Sequence, residues 1–173
     1  MQATEEGLAH GRSLPLHRQL LRSILAEATF NHLAPANWRA RSAGSHPTGT
    51  VHPRALALLT REGIATSGLS SKSWNDLPSA PVIVITVCDN AASETCPAYL
   101  GSVLRAHWGV ADPAHATGSE AVIEAAFEIA YRTLRSRIEA FLALPLDQLV
   151  QDKLAFKAAL DDITKLTPER ISP

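Results

Sequence analysis

A short apolar strand that ends at a cysteine constrains the fold of this chain more than any other feature. The run Pro81–Cys88 is rich in Val and Ile, and Asp89 and Asn90 follow it directly. A strand that is apolar on both faces is typical of the interior of a parallel sheet, which helices cover on both sides. Open α/β sheets place reactive groups at the carboxyl ends of such strands. The pattern therefore predicts a parallel sheet that presents Cys88 at its functional edge, with Cys96 close behind in a loop.

Helical and extended segments alternate along the chain before this strand. Apolar residues at helical spacing predict a helix over Arg22–Leu33. Proline in the first turn and Gly63 just past the end predict a second helix over Pro53–Arg61. Alternation of apolar and polar residues predicts a strand over Trp38–Ser42. Strands that alternate with helices indicate a doubly wound α/β fold with a parallel sheet.

Two further helices are predicted toward the C-terminus. Ser119 is the expected N-cap of a long helix that stops before Pro145, and Asp147 is the expected N-cap of a last helix. One apolar stripe of the long helix is predicted to face the core and consists of Ile123, Phe127, Ala130, Leu134, Ile138 and Phe141. The chain is interpreted as one domain over residues 13–165, with a disordered segment at 1–12 and a tail at 166–173.

The bulk composition argues against several classes of protein. The formal net charge is −1 and the basic residues are spread along the chain, so neither nucleic acid nor an anionic membrane is an expected partner. No apolar run is long enough to span a bilayer, and the N-terminus lacks the pattern of a secretory signal. The two cysteines do not make a disulfide framework, and the seven histidines show no metal-ligand spacing. We expect a cytoplasmic protein without a bound metal.

Five groups of short motifs follow one another between residues 20 and 165. They are Arg22-Ser23-x-x-Ala26-Glu27, Ser42-Ala43-Gly44, Gly63-Ile64 with Ser67-Gly68 and Ser71-Lys72-Ser73, Cys88-Asp89-Asn90-Ala91-Ala92 with Cys96-Pro97, and His107-Trp108-Gly109 with Asp112-Pro113. In this order they resemble the thiol-coupled arsenate reductases of the low-molecular-weight protein tyrosine phosphatase family. The resemblance implies a doubly wound three-layer α/β fold with a four-stranded parallel sheet.

The resemblance also implies a chemistry for five residues. Arg22 and Ser23 would bind a tetrahedral oxyanion, arsenate or phosphate, at the N-terminus of a helix. Asp112 would act as general acid, and Cys88 would attack an arsenic adduct on a first cysteine and release arsenite. Cys96 would then resolve the bond as a disulfide, which thioredoxin, glutaredoxin or a low-molecular-weight thiol would reduce. The resemblance implies no bound cofactor.

The first cysteine of that scheme is absent from this chain. Counting back from Arg22, the nucleophile position falls on Leu16, and Pro15 stands in a strand that should be central in the sheet. Suitable synonymous codons for Arg12–Leu21, read one base later and completed by the first base of the Arg22 codon, encode Val-Leu-Phe-Leu-Cys-Thr-Gly-Asn-Ser-Cys, a strand followed by this family's nucleophile loop. Our hypothesis is that residues 1–21 are a frameshifted translation of an intact N-terminus. The nucleotide sequence under codons 12–23 tests it.

Three functions remain open on the sequence alone. The first is an arsenate reductase-like protein that is inactive as written, because Leu16 cannot attack arsenic. The second is a tyrosine phosphatase on the same fold, although Ala114 and His115 stand where such phosphatases usually carry tyrosines. The third is a non-catalytic protein that binds an oxyanion or a partner. Arsenite production and hydrolysis of an aryl phosphate distinguish the three.

Overall fold

The computed structural model describes residues 12–17, 20–44, 49–77, 81–87 and 103–166. Within them one parallel sheet contains β1 (Arg12–His17), β2 (Trp38–Ala43), β3 (Ile83–Thr86) and β4 (Leu104–His107). The strand order in space is β2-β1-β3-β4. The direction in which strands are added reverses between β1 and β3, so the crevice that binds ligands in such sheets is expected at the carboxyl ends of these two strands.

Helices lie between β1 and β2 and between β2 and β3, and further helices follow β4. In the described part of the chain they are α1 (Leu20–Leu33), α2 (Pro53–Arg61), α3 (Glu120–Leu142), α4 (Leu146–Leu149) and α5 (Lys153–Thr164). The first helix packs on β2 and α3, while α5 packs on β4 and α3. The expected doubly wound α/β fold is confirmed. Most of the segment predicted to be disordered, 1–12, and of the predicted tail, 166–173, lies outside the described residues; Arg12 itself begins β1.

Local capping residues account for two helix boundaries that the sequence predicted. Helix α2 has the predicted limits: His52 accepts a hydrogen bond at Nδ1 from the Arg54 N–H (3.2 Å), and Gly63 follows the helix with φ of +71°. That conformation favours glycine, which has no Cβ to clash. Ser119 is confirmed as the N-cap of α3, because its Oγ accepts from the Val122 N–H at 3.4 Å.

The predicted last helix is present as α5, but the residue predicted to cap it was wrong. Asp147 does not cap it; this residue lies in the single turn of α4, which starts directly after Pro145. The N-cap of α5 is Asp152, whose Oδ1 accepts from the N–H groups of Leu154 and Ala155, both at 3.0 Å. Both aspartates precede an apolar helical pattern, and the sequence alone does not distinguish them.

Phe141, near the end of α3, is the centre of the aromatic core. Its ring lies 5.8 Å from Phe30, 5.7 Å from Trp38, 6.2 Å from Trp108 and 6.0 Å from Phe156, measured between centroids. These partners come from α1, β2, the segment after β4, and α5. The predicted core stripe of α3 is therefore confirmed at its C-terminal end, and it joins the helices to the edge of the sheet that carries the candidate site.

The pairing between β1 and β3 is the shortest in the described sheet. β1 pairs with β2 along its whole length. With β3 it pairs only where Leu16–His17 meets Ile85–Thr86, and we refer to these two residue pairs as the β1–β3 seam. Pro15 comes directly before the seam and has no N–H to donate to a ladder. The central strand thus contains the proline that the sequence placed there.

Candidate functional site

The last residue of β4 and the segment that follows it, together His107–Asp112, form the acid loop of the candidate site. The Trp108 N–H donates to the Thr86 carbonyl at 2.7 Å, and the Val110 N–H donates to the Val87 carbonyl at 3.1 Å. These bonds continue the β3–β4 pairing past the strand ends, so the acid loop lies along the carboxyl edge of β3. Val87 is the residue that directly precedes Cys88 in the chain.

Arg22 meets the acid loop from the opposite side of the switch point. It lies in the first turn of α1, and 2% of its surface is exposed, so it is not the solvated helix-face charge that an arginine usually is. Its Nη1 donates a hydrogen bond to the Val110 carbonyl, and its Nη2 lies 3.8 Å from the Asp112 Oδ2. Two residues that the sequence proposed for one site are therefore adjacent, although 90 positions separate them.

The two oxygens of Asp112 have different contacts. Oδ1 accepts from the Ala114 N–H at 3.0 Å and so caps the 3-10 turn Pro113–His115. Oδ2 faces the Arg22 guanidinium, and about a tenth of the side chain is exposed. Asp112 therefore starts a turn, as an aspartate before a proline commonly does, and also faces Arg22 at the candidate site. It can do both because each carboxylate oxygen is an acceptor.

The remaining predicted site residues fall into two groups. Ser23 is buried at 2% exposure next to Arg22, at the start of α1. Cys88 and Cys96 lie outside the described residues, so their predicted redox roles remain predictions.

A partly buried ionic network that sequence reasoning did not recognise holds α1 in place one turn beyond Ser23. The Glu27 carboxylate accepts from the Ser42 N–H at 3.1 Å and from the Ser42 hydroxyl. The Lys72 ammonium lies 3.3 Å from Glu27 Oε2 and also donates to the Ser70 carbonyl at 3.0 Å. Three of these residues were visible as motif positions, but only the fold shows that they contact one another. We call Glu27, Ser42 and Lys72 the Glu27 network.

A cavity of about 500 Å³ opens between the acid loop and α3. Asp112 and His115 line it on the loop side, and Ile129, Ala130 and Thr133 line it on the helix side. Apart from a few polar groups the walls are apolar, which is the usual composition of a small-molecule site. Asp112 thus borders both the cavity and Arg22.

The described residues contain neither a candidate metal centre nor a candidate membrane-spanning helix. Among residues 12–17, 20–44, 49–77, 81–87 and 103–166, no group of three or more His, Cys, Asp or Glu side chains could hold a metal ion. No helix in the same ranges combines the length and apolar character needed to cross a membrane.

Comparison with known proteins identifies the class to which this fold and site belong. Residues 18–155 match the family described as low molecular weight phosphotyrosine protein phosphatase. The chain therefore belongs to the low molecular weight phosphotyrosine protein phosphatase family.

Within and around this family, the chain is similar to several arsenate reductases. An arsenate reductase of Shouchella clausii is 32% identical over 121 residues, which cover 69% of this chain and 86% of that protein. A solved arsenate reductase in a phosphate-binding state has a TM-score of 0.60 at 22% identity and covers 76% of this chain and 97% of its own. A thioredoxin-dependent arsenate reductase of Corynebacterium glutamicum has a TM-score of 0.54 at 23% identity, with coverages of 81% and 62%. At these identities the two structures support the fold alone.

Proposed function

We propose that this protein is an arsenate reductase-like member of its family that binds a tetrahedral oxyanion beside the Arg22–Asp112 pair. The observation that carries this proposal is the placement of these two residues, 3.8 Å apart, at the switch point of the sheet. A guanidinium presents paired donors to the oxygens of arsenate, and a carboxyl group can protonate the oxygen that leaves. The sequence similarity to arsenate reductases over most of their length supports this substrate.

The reducing electrons would come from Cys88 and Cys96. Conversion of arsenate to arsenite takes up two electrons and releases one oxygen as water, and two thiols supply these electrons when they join as a disulfide. Asp112 would give the proton that the leaving oxygen needs. Val87, the residue that directly precedes Cys88 in the sequence, is hydrogen-bonded to the acid loop. A thiol reductant would regenerate the pair: thioredoxin, as in the Corynebacterium relative, or glutaredoxin or a small thiol.

The chain as written is proposed to be impaired in this reaction. Leu16, at the position of the family's nucleophile, lies in β1 with Ile85 as its partner across the β1–β3 seam. A hydrocarbon side chain there cannot form the covalent arsenic adduct that Cys88 would attack. Cys88 and Cys96 would then have no intermediate to resolve, although Arg22 and Asp112 remain in place.

Arsenite production tests both parts of the proposal. The unmodified chain, with its mass verified, would be compared with a variant whose residues 12–21 are replaced by Val-Leu-Phe-Leu-Cys-Thr-Gly-Asn-Ser-Cys. The matched control carries the same replacement with serine in place of its first cysteine. We expect arsenite, in the presence of thioredoxin and its reductase, from the replaced variant alone. Rapid turnover by the unmodified chain would show that the impairment is wrong, and hydrolysis of an aryl phosphate without arsenite would indicate a phosphatase instead.

A second candidate function is oxyanion binding without turnover. The observation that favours it is the combination of Leu16 with an Arg22 that the Val110 carbonyl and Asp112 already hold in position. Calorimetric titration of the unmodified chain with arsenate and phosphate measures it directly. Saturable binding that weakens in Arg22→Lys, without any arsenite, would support this function; heat that never saturates would refute it.

A further inference from the structure

Arg137 is a buried cation within the apolar stripe of α3. It is 6% exposed and lies between Leu134 and Ile138, which are both fully buried. Burial lowers the pKa of its guanidinium from the ordinary value, because desolvation penalises the charged form. A buried charge is tolerated only where hydrogen bonds replace its lost water, so the partners of this side chain indicate its role.

Three main-chain carbonyls accept hydrogen bonds from Arg137. Nε donates to Leu166 and Nη2 to Thr164, both at 3.2 Å, and these carbonyls stand at the C-terminal end of α5. The last carbonyls of a helix have no partner within it and carry the negative end of its dipole, so a cation is favoured there. Nη1 donates to the Gly109 carbonyl at 3.1 Å, in the middle of the acid loop. One side chain therefore joins the end of α5 to the acid loop.

The peptide unit between Gly109 and Val110 is consequently held at both ends. Arg137 binds its oxygen, and its N–H donates to the Val87 carbonyl at 3.1 Å. Because a peptide unit is planar and rigid, these two bonds together fix its orientation. The next carbonyl, that of Val110, accepts from Arg22, and two residues later the chain reaches Asp112.

A second bond between α5 and the acid loop supports the same arrangement. The Thr164 hydroxyl donates to the His107 carbonyl at 3.0 Å. Three carbonyls of the acid loop thus accept a hydrogen bond from a helix side chain. The His107 carbonyl accepts from α5, the Gly109 carbonyl from α3 and the Val110 carbonyl from α1. Side chains of three helices therefore fix the acid loop from His107 to Val110.

We propose that Arg137 is a positioning residue of the acid loop: by holding the Gly109 carbonyl it sets the place of the Val110 carbonyl, and with it the Arg22–Asp112 pair. Its relevance to catalysis rests on the proposed function, whereas its effect on the geometry of the loop does not. Arg137 touches neither the expected oxyanion nor the carboxylate of Asp112, so it acts through the loop.

Residue-specific amide hydrogen exchange, followed by NMR on the unmodified chain and on Arg137→Met, tests the proposal. We expect the Val110 amide, and to a lesser degree the Trp108 amide, to exchange about tenfold faster in the variant, relative to the slowest amides of α3. Arg135→Met is the matched control: Arg135 lies on the same helix and bonds Glu139 and Tyr131, away from the acid loop. The control is expected to leave the Val110 amide unchanged.

Two outcomes with Arg137→Met would overturn the proposal. One is an equal factor at every amide, which would mean that Arg137 contributes only to global stability. The other is faster exchange confined to Lys165 and Leu166, which would make it an anchor for α5 alone. If Arg137→Met does not fold, Arg137→Lys, which keeps the charge but offers fewer donors, is expected to give a smaller acceleration at the same Val110 amide. Equal protection of that amide in Arg137→Lys and in the unmodified chain would refute the positioning role.

Phosphate titration of the same samples separates this inference from the proposed function. If the unmodified chain binds phosphate, Arg137→Lys is expected to weaken the affinity several-fold, because the loop that bonds Arg22 is less fixed; unchanged affinity would count against the inference. If the unmodified chain does not bind phosphate at all, the proposed oxyanion site fails, and the exchange of the Val110 amide still decides the role of Arg137.

Discussion

The partly buried ion pair of the Glu27 network should be energetically coupled far more strongly than the exposed pairs of this protein. Glu27 and Lys72 approach to 3.3 Å, with side-chain exposures of 10% and 24%. With an effective dielectric constant of about 20, unit charges at this 3.3 Å separation attract by roughly 5 kcal/mol. Solvent screening through the partly exposed Lys72 offsets more than half of this attraction, which leaves an expected coupling of about 2 kcal/mol.

A double-mutant cycle of Glu27→Gln, Lys72→Met and the double variant measures this coupling. Urea unfolding at neutral pH, followed by circular dichroism, gives the free energy of unfolding of each protein. The matched control is the exposed pair Arg54–Glu120, in which 71% of the glutamate side chain is accessible. Here we expect a much smaller coupling that disappears at high salt, because mobile ions screen exposed charges more effectively than buried ones.

The result that would refute this reasoning is a Glu27–Lys72 coupling no larger than that of the control pair. The same conclusion would follow if high salt abolished both couplings equally. Either outcome would mean that solvent enters the Glu27 network and that Ser42 alone holds the carboxylate.

Three further predictions concern stability. Phe141→Ala should lower the free energy of unfolding by about 4 kcal/mol, because the ring packs against four aromatic neighbours. The control Ile129→Ala, at an exposed position, should change the free energy of unfolding little. Equal losses for the two variants in urea unfolding would contradict the assignment of Phe141 to the core. Pro15→Val should stabilise the protein by about 1 kcal/mol by supplying a ladder donor in a central strand, and a less stable variant in the same assay would contradict this. The hydrogen bond from Arg54 lowers the pKa of Glu120, so the pair stabilises the fold above the unfolded-state pKa of roughly 4.3 and loses this effect as the pH falls through the lowered folded-state value. The destabilisation caused by Arg54→Met should therefore shrink between about pH 6 and about pH 3, and a constant difference would be the contrary result.

Much of the fold could be predicted from local signals because those signals have local causes. Pro53 begins α2 because its ring fixes the backbone angle of the first turn, and Gly63 follows the helix because glycine readily adopts a positive φ. The Ser119 hydroxyl caps α3 by accepting from an N–H three residues away. The start of the last helix was missed because Asp147 and Asp152 give the same cap signal, and the packing of α4 decides between them. The strand β4 was not located either, since four residues with an exposed Arg105 carry little pattern.

The candidate site could be predicted only where a motif named a residue. Arg22 and Asp112 were proposed through the family resemblance, and the structure places them side by side. Arg137 gave one signal that could have been used: a charged residue interrupts the apolar stripe between Leu134 and Ile138. Its partners are main-chain carbonyls 27 to 29 positions away, and main-chain atoms leave no trace in a sequence.

The narrow β1–β3 seam divides the molecule along the line where the site is assembled. Arg22 belongs to the half built on β1 and β2, while the acid loop belongs to the half built on β3 and β4. The hydrogen bond from Arg22 to the Val110 carbonyl therefore joins the two halves of the molecule across the middle of the sheet. Any change in the N-terminal strand that widens or tightens this joint would alter the spacing of cation and acid, even if every residue of the site were left as it is.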